Sequence, residues 1–113
     1  FADLPQGATV GTCSVRRQAQ LLHHRPDLII KSLRGNVDTR LAKLAADEFD
    51  AIILAAAAFE RLQWQVKITE KFSPKFIVPS VAQGAIGIEC ESDAGDIIEL
   101  LTPLNDAKTT LCV

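Results

Sequence analysis

Tyrosine is absent from this chain of 113 residues, and aromatic residues make up only 5% of it. Stacking platforms for single-stranded nucleic acid are therefore poorly supplied. A basic excess is missing too: the formal net charge is −2, whereas a generic polyanion binder is basic overall. Histidine occurs only as the adjacent pair His23-His24. On a helix such neighbours point about 100° apart, so they do not share a metal, and no zinc site is expected. The three cysteines, Cys13, Cys90 and Cys112, are odd in number and widely spaced. They offer neither a disulfide framework nor a metal knuckle, and read as reduced thiols of a reducing compartment. Long apolar runs are also missing. The longest, Ala51 to Phe59, is about half of the roughly 20 residues that cross a bilayer, so no membrane span is expected. Phe1-Ala2-Asp3-Leu4-Pro5 lacks the basic start and apolar stretch of a secretion signal. No GxSxG, HExxH or P-loop pattern occurs.

What is present suffices for one folded domain. The chain is 48% hydrophobic, which excludes disorder and supports a real core at this length. Ala8-Thr9-Val10 reads as a short strand ending in the turn Gly11-Thr12-Cys13-Ser14. A helix follows, with Ser14 as N-cap, Val15, Ala19 and Leu22 as its apolar stripe, and Pro26 as its stop. Leu28-Ile29-Ile30 reads as a buried strand running towards Ser32. After the turn Leu33-Arg34-Gly35-Asn36, Asn36 caps a second helix striped by Val37, Leu41 and Leu44. Asp50-Ala51-Ile52-Ile53-Leu54 is a third strand without polar alternation, as expected when both faces are covered. Ala55 to Leu62 reads as a third helix. Val66, Thr69 and Glu70 fit a helix weakly. Phe76-Ile77-Val78 is expected to be extended between Pro74 and Pro79. Ala85 to Cys90 alternates as a strand would. Asp96 to Leu101 is an amphipathic helix, and another is expected beyond Asn105 as cap. Strand, helix, strand, helix, strand is the pattern of an α/β fold with a mostly parallel sheet flanked by helices.

Five of the six arginines lie near strand-to-helix turns. Arg16 and Arg17 open the first helix, Arg34 precedes Gly35-Asn36, Arg40 is one turn into the second helix, and Arg61 follows the third strand. In a parallel sheet these turns emerge at one edge, where strand carboxyl ends meet ligands. Helix N-termini there carry free N–H groups and partial positive charge. Arginine beside them concentrates positive potential, which makes sense if an anion fills the site. Gly11, Gly35 and Gly84 would let backbone amides approach that anion. Solvated arginines on a helical surface are the plainer explanation; the repeated coupling to capped turns favours the anion cradle. Asp47, Glu48 and Asp50 read as a solvated acidic turn. Cys13 sits where a thiol can acidify but has no histidine beside it.

Three stretches carry a resemblance. They are Val10-Gly11-Thr12-Cys13-Ser14-Val15-Arg16-Arg17-Gln18, Ser32-Leu33-Arg34-Gly35-Asn36-Val37-Asp38-Thr39-Arg40-Leu41 and Val81-Ala82-Gln83-Gly84-Ala85-Ile86-Gly87-Ile88-Glu89. In this order they resemble the porphobilinogen deaminase, or hydroxymethylbilane synthase, family, and Asp50 to Ala55 with Arg61-Leu62 also fits. The resemblance implies a three-domain transferase of haem and chlorophyll synthesis whose first two domains are periplasmic-binding-protein-like. The family joins four porphobilinogen molecules head to tail with release of ammonia, and hydrolysis yields hydroxymethylbilane. The resemblance implies that the growing oligopyrrole is primed by a dipyrromethane cofactor held by a cysteine outside this sequence; Cys112 lacks the paired glycines that precede that cysteine in the family, and Cys90 lies in an expected strand.

By that resemblance, residues 1–83 correspond to the second domain and 84–113 to a return segment of the first, with Phe1 and Val113 as cut ends. Arg16, Arg17, Arg34, Arg40 and Arg61 would bind the acetate and propionate groups of cofactor and substrate. Ser14 and the backbone of Thr12 and Cys13 would add hydrogen bonds, while Gly35, Asn36, Gln83 and Gly84 would line the cleft or hinge. Arg25 would be a surface residue. The catalytic aspartate lies outside this stretch, and domains 1 and 3 would be its partners, so this stretch alone is expected to be inactive. Residues 85 to 113 are expected to expose apolar surface that the first domain covers. A cytoplasmic location is expected, or a plastid if the parent comes from a photosynthetic eukaryote. Departures are mild: Cys13 replaces Ser or Ala, and Ala58 and Ala82 stand where Gly is frequent. A non-catalytic module of periplasmic-binding-protein type that senses a small carboxylate is the alternative; a nucleic-acid-binding domain lacks the aromatics and the basic excess.

Overall fold

The computed structural model describes residues 1–62 and 68–113, with residues 61 and 62 described by their backbone alone. It divides into two compact units, Phe1–Val78 and Pro79–Val113.

The first unit is built on three short parallel strands. These are β1 (Thr9–Gly11), β2 (Ile29–Lys31) and β3 (Ala51–Ile52), in the order β2-β1-β3. Val10 lies opposite Ile30 on one side and Ala51 on the other. Helix α1 (Val15–His24) joins β1 to β2, α2 (Val37–Ala45) joins β2 to β3, and α3 (Ala56–Leu62) follows β3. The α/β architecture with a parallel sheet is as expected.

Both helix starts follow from their capping residues. The Ser14 hydroxyl accepts from the Arg17 amide, and the Asn36 side chain accepts from the Thr39 amide. Each satisfies an amide that the first helical turn leaves without a partner. Asp38 adds the acidic first-turn residue that a helix dipole favours in α2, whereas α1 has none there.

β1 is covered on both faces. Val10 packs with Ala8, Leu21 and Leu28 in the core, with Leu22, Ile30, Ala51 and Ile53 around them. Gly11 points the other way: a Cβ there would meet Phe49 Cδ1 at 2.9 Å, Leu33 Cδ2 at 3.0 Å and Ile52 Cγ2 at 3.1 Å. Gly11 is therefore required for close packing, not for exposing its amide to an anion. The turn before β3 is tied to β1, because the Asp50 carboxylate accepts from the Thr9 amide at 2.7 Å while the Asp50 amide donates to the Thr9 carbonyl at 3.0 Å.

Several expectations need correction. The buried stripe of α1 runs through Leu21, and Val15 is 79% exposed, because Arg17 and Leu21, not Val15 and Ala19, occupy the face turned towards the sheet. Ile29 in β2, an edge strand among the described residues, is exposed instead of covered. Residues 74–77 form a turn in place of an extended segment, closed by donation from the Phe76 and Ile77 amides to the Ser73 carbonyl. Thr69 lies in a bend and Glu70 in no helix, and Val66 lies outside the described residues. Arg25 is half-buried as the C-cap of α1, paired with Asp27 at 2.7 Å and donating to the carbonyls of Phe1, Leu4 and Pro5.

The second unit holds α4 (Gly95–Leu101), a 3₁₀ turn (Thr102–Leu104) and α5 (Ala107–Cys112). Asp106, not Asn105, caps α5, its carboxylate accepting from the Thr109 amide at 2.7 Å. Residues 85–90 form no strand: alternation alone supplies no neighbouring strand for their backbone to pair with. Val81, Ile86, Ile88, Leu100, Leu104 and Leu111 are all exposed.

Candidate functional site

The strand order reverses between β1 and β3, and their carboxyl ends open onto the turn Thr12-Cys13-Ser14 and residues 53–55. In open α/β sheets such a reversal point is where ligands bind. Helix α1 starts there, and its first turn carries Arg16 and Arg17.

Arg17 lies at the centre. It shares the core-facing side of α1 with Leu21, so its stem is carried over the end of the sheet. Its Nη1 donates to the Ile53 carbonyl at 3.0 Å, just beyond β3. Burial lowers its pKa below the usual guanidinium value, and the charges of Arg16 and Arg40 lower it further. Cys13, exposed beside it, acts in the opposite direction. An arginine stays charged at any physiological pH, so Arg17 is a cation half out of water with two other cations close by.

Arg16 and Arg40 are also held through backbone carbonyls. Arg16 Nη1 donates to the Val78 carbonyl. Arg40 Nε donates to the Gly35 carbonyl at 2.8 Å. Gly35 has φ +117°, and a Cβ on it would meet Thr39 Cγ2 at 2.8 Å. That turn thus requires glycine, and it sets the carbonyl that orients Arg40. Each guanidinium spends one N–H this way and keeps others for a planar bidentate acceptor.

The Thr12-Cys13-Ser14 turn is more committed to itself than its sequence implies. The Thr12 amide donates to the Lys31 carbonyl at 3.0 Å, and the Thr12 hydroxyl accepts from the Ser14 amide at 3.2 Å. The Ser14 hydroxyl is occupied in capping. Of the three turn amides, Cys13 alone donates to no acceptor among the described residues.

Arg34 is exposed in the β2–α2 turn, next to Gly35 and the capping Asn36. Arg61 lies in α3, with its side chain outside the described residues. Gln83 and Gly84 belong to the second unit. There the Gln83 amide donates to the Ser80 carbonyl at 3.1 Å, and Ala82 and Gly84 both have positive φ, +58° and +95°. Arg16, Arg40 and Cys13 therefore lie within electrostatic reach of Arg17, and Gln83 and Gly84 belong to the second unit. Among the described residues no group of three His, Cys, Asp or Glu side chains is placed to hold a metal.

Sequence reasoning missed Gln20. It lies one helical turn from Arg16, with His24 one turn further. The three form a ladder along α1 that holds residues 76–78. Gln20 Oε1 accepts from the Val78 amide at 2.7 Å, Gln20 Nε2 donates to the Arg16 carbonyl at 3.1 Å, and His24 Nε2 lies 3.0 Å from the Phe76 carbonyl. The His24 ring also stacks on Phe76 with centroids 4.0 Å apart. The i, i+4, i+8 spacing of polar residues was the available signal.

Residues 1–99 match the family model described as porphobilinogen deaminase, dipyromethane cofactor binding domain. The chain is 51% identical to the porphobilinogen deaminase of Syntrophotalea carbinolica over 113 residues, covering all of this chain and 36% of that protein. Identity is 54% over 115 residues with the enzyme of Halalkalibacterium halodurans, covering 98% of this chain and 37% of that one. It is 50% over 114 residues with the enzyme of Staphylococcus carnosus, covering all of this chain and 37% of that one. The chain thus spans about a third of the length of the curated relatives it matches.

Proposed function

The chain belongs to the porphobilinogen deaminase family, and from that premise we propose that it is the carboxylate-binding part of a transferase. That enzyme joins four porphobilinogen molecules into hydroxymethylbilane and releases ammonia. The observation that carries the reading is the half-buried Arg17, bonded to the Ile53 carbonyl at the sheet's reversal point, within electrostatic reach of Arg16 and Arg40. Like charges within reach of one another are unfavourable unless anions offset them. Each pyrrole brings an acetate and a propionate, and guanidinium forks match carboxylates bidentately.

The residues present fit a dipyrromethane group: Arg16 and Arg40 lie within electrostatic reach of Arg17, and each of the three keeps N–H donors beyond the one it gives to a backbone carbonyl. Arg16, Arg17 and Arg40 would hold its carboxylates, with Arg34 and Arg61 on the neighbouring turns. When bound, the cofactor supplies the pyrrole end to which incoming units are joined. This chain's residues bind and orient carboxylates, and the proton chemistry belongs to the remainder of the enzyme.

In the full-length protein, Arg16→Leu or Arg17→Leu should reduce porphobilinogen turnover by roughly ten- to a hundredfold, the scale of one charge-assisted contact of about 1.5–3 kcal/mol. Wild-type turnover in both variants overturns the reading. The 113-residue chain on its own should form no tetrapyrrole.

A further inference from the structure

We propose that Gln20 is a positioning residue for the carboxylate site, acting through the Val78 carbonyl on Arg16. The inference rests on the reading that Arg16 receives a ligand carboxylate.

The geometry is a relay of three links. Gln20 meets both backbone polar groups of Val78: its Oε1 accepts from the Val78 amide at 2.7 Å, and its Nε2 points at the Val78 carbonyl at 3.4 Å. The same Nε2 donates to the Arg16 carbonyl at 3.1 Å, fixing the amide's orientation on α1. The Val78 carbonyl, so placed, accepts from Arg16 Nη1. Arg16 and Gln20 are four residues apart and stand one above the other on the helix. One side chain thus sets the acceptor that anchors the next.

The arrangement has a physical purpose. A free arginine side chain carries about 2 kcal/mol of rotamer entropy, which ligand binding must otherwise overcome. Pinning one Nη1 to a fixed carbonyl removes that freedom beforehand and leaves the other N–H groups for the ligand. Arg17 is pinned to the Ile53 carbonyl, and Ile53 is itself tied to β1 by donation from its amide to the Gly11 carbonyl at 3.1 Å. Arg16 depends on residue 78, in a segment with no strand pairing of its own. Its anchor therefore needs the Gln20 clasp, and Arg17's does not.

Gln20→Met keeps the length of the side chain and removes all of its hydrogen bonds. The test is a double-mutant cycle in the full-length protein with Gln20→Met, Arg16→Met and the pair. It is read as kcat/KM for porphobilinogen and as the NMR order parameters of the Arg16 and Arg17 Nε–H groups. Gln20→Met should lower kcat/KM roughly ten- to a hundredfold, as a misplacement of order 1 Å does in an aligned site. It should lower the order of Arg16 Nε–H and leave that of Arg17 unchanged. The double variant should be no worse than Arg16→Met, because the two act as one unit. Unchanged Arg16 order overturns the inference, as do unchanged kcat/KM and penalties that multiply in the double variant. A wild-type protein that does not consume porphobilinogen overturns the proposed function instead, and the Arg16 order parameter still decides the link to Gln20. Equal loss of order at Arg16 and Arg17 signals general loosening of α1 and also overturns it.

Discussion

Arg17 donates to the Ile53 carbonyl at 3.0 Å across the point where the sheet reverses its strand order. The contact explains why a helix begins with two arginines and no acid. The arginine occupies the top of the stripe that Leu21 fills one turn below, so the fold has placed a cation where a purely structural helix would place an apolar residue.

Replacing that cation should separate stability from function. Arg17→Met removes a half-buried charge that burial and the charges of Arg16 and Arg40 disfavour. The thermal midpoint should stay level or rise, while activity falls, as is common where a site is held against stability. Differential scanning calorimetry alongside an activity assay decides it. A lower midpoint with full activity would assign Arg17 a structural role.

The corrected face of α1 gives a second expectation. Leu21 is fully buried and Val15 is not. Leu21→Ala should cost about 2–5 kcal/mol in urea unfolding, and Val15→Ala within about 0.5 kcal/mol. Reversed magnitudes would restore the stripe that the sequence suggested.

Glycine 35 gives a third. Gly35→Ala places a side chain at φ +117° and against Thr39, at a cost of about 1–3 kcal/mol. The strained turn should also shift the carbonyl that orients Arg40, raising KM for porphobilinogen. Adding Thr39→Ala should relieve the contact and leave the backbone strain. Full recovery of stability in that double variant would show that φ is not limiting.

Acid stability should depend on Asp27. The Arg25 guanidinium, with help from the Gly7 amide, holds its carboxyl well below the usual carboxylate range. A lowered folded-state pKa means the unfolded chain binds the proton first as pH falls. The stabilisation is complete above the unfolded value near 3.8 and is lost as pH falls from there through the folded value. Asp27→Asn should flatten the stability profile below about pH 4. An unchanged acid limb in chemical denaturation at several pH values would contradict this.

Much of this was legible in the sequence where local chemistry decides the outcome. Ser14 and Asn36 cap the helices they precede, because a short polar side chain before an amphipathic run has one favourable use. The parallel sheet followed from uninterrupted apolar strands between helices. The expectation that five arginines gather at one edge followed from topology, since the strand-to-helix turns of such a sheet meet there; Arg16 and Arg40 lie within electrostatic reach of Arg17, Arg34 is exposed on its own turn, and the Arg61 side chain lies outside the described residues. What escaped was decided by contacts distant in sequence. Nothing local says that Gln20 will meet Val78, that Arg25 will gather three carbonyls from residues 1–5, or that Gly11 faces Phe49. The alternation of residues 85–90 misled for the same reason: a strand is defined by its neighbour, and the second unit supplies none among the described residues.

Substrate discrimination by charge tests the central claim most directly. The full-length protein and its Arg17→Leu variant would be assayed with porphobilinogen and with its diamide, in which both carboxylates are neutral. The wild type should favour the acid by at least about a hundredfold in kcat/KM, and Arg17→Leu should lose roughly tenfold or more of that preference. Equal kcat/KM for acid and diamide in the wild type, or an undiminished preference in Arg17→Leu, would contradict the account of this edge as a carboxylate cradle.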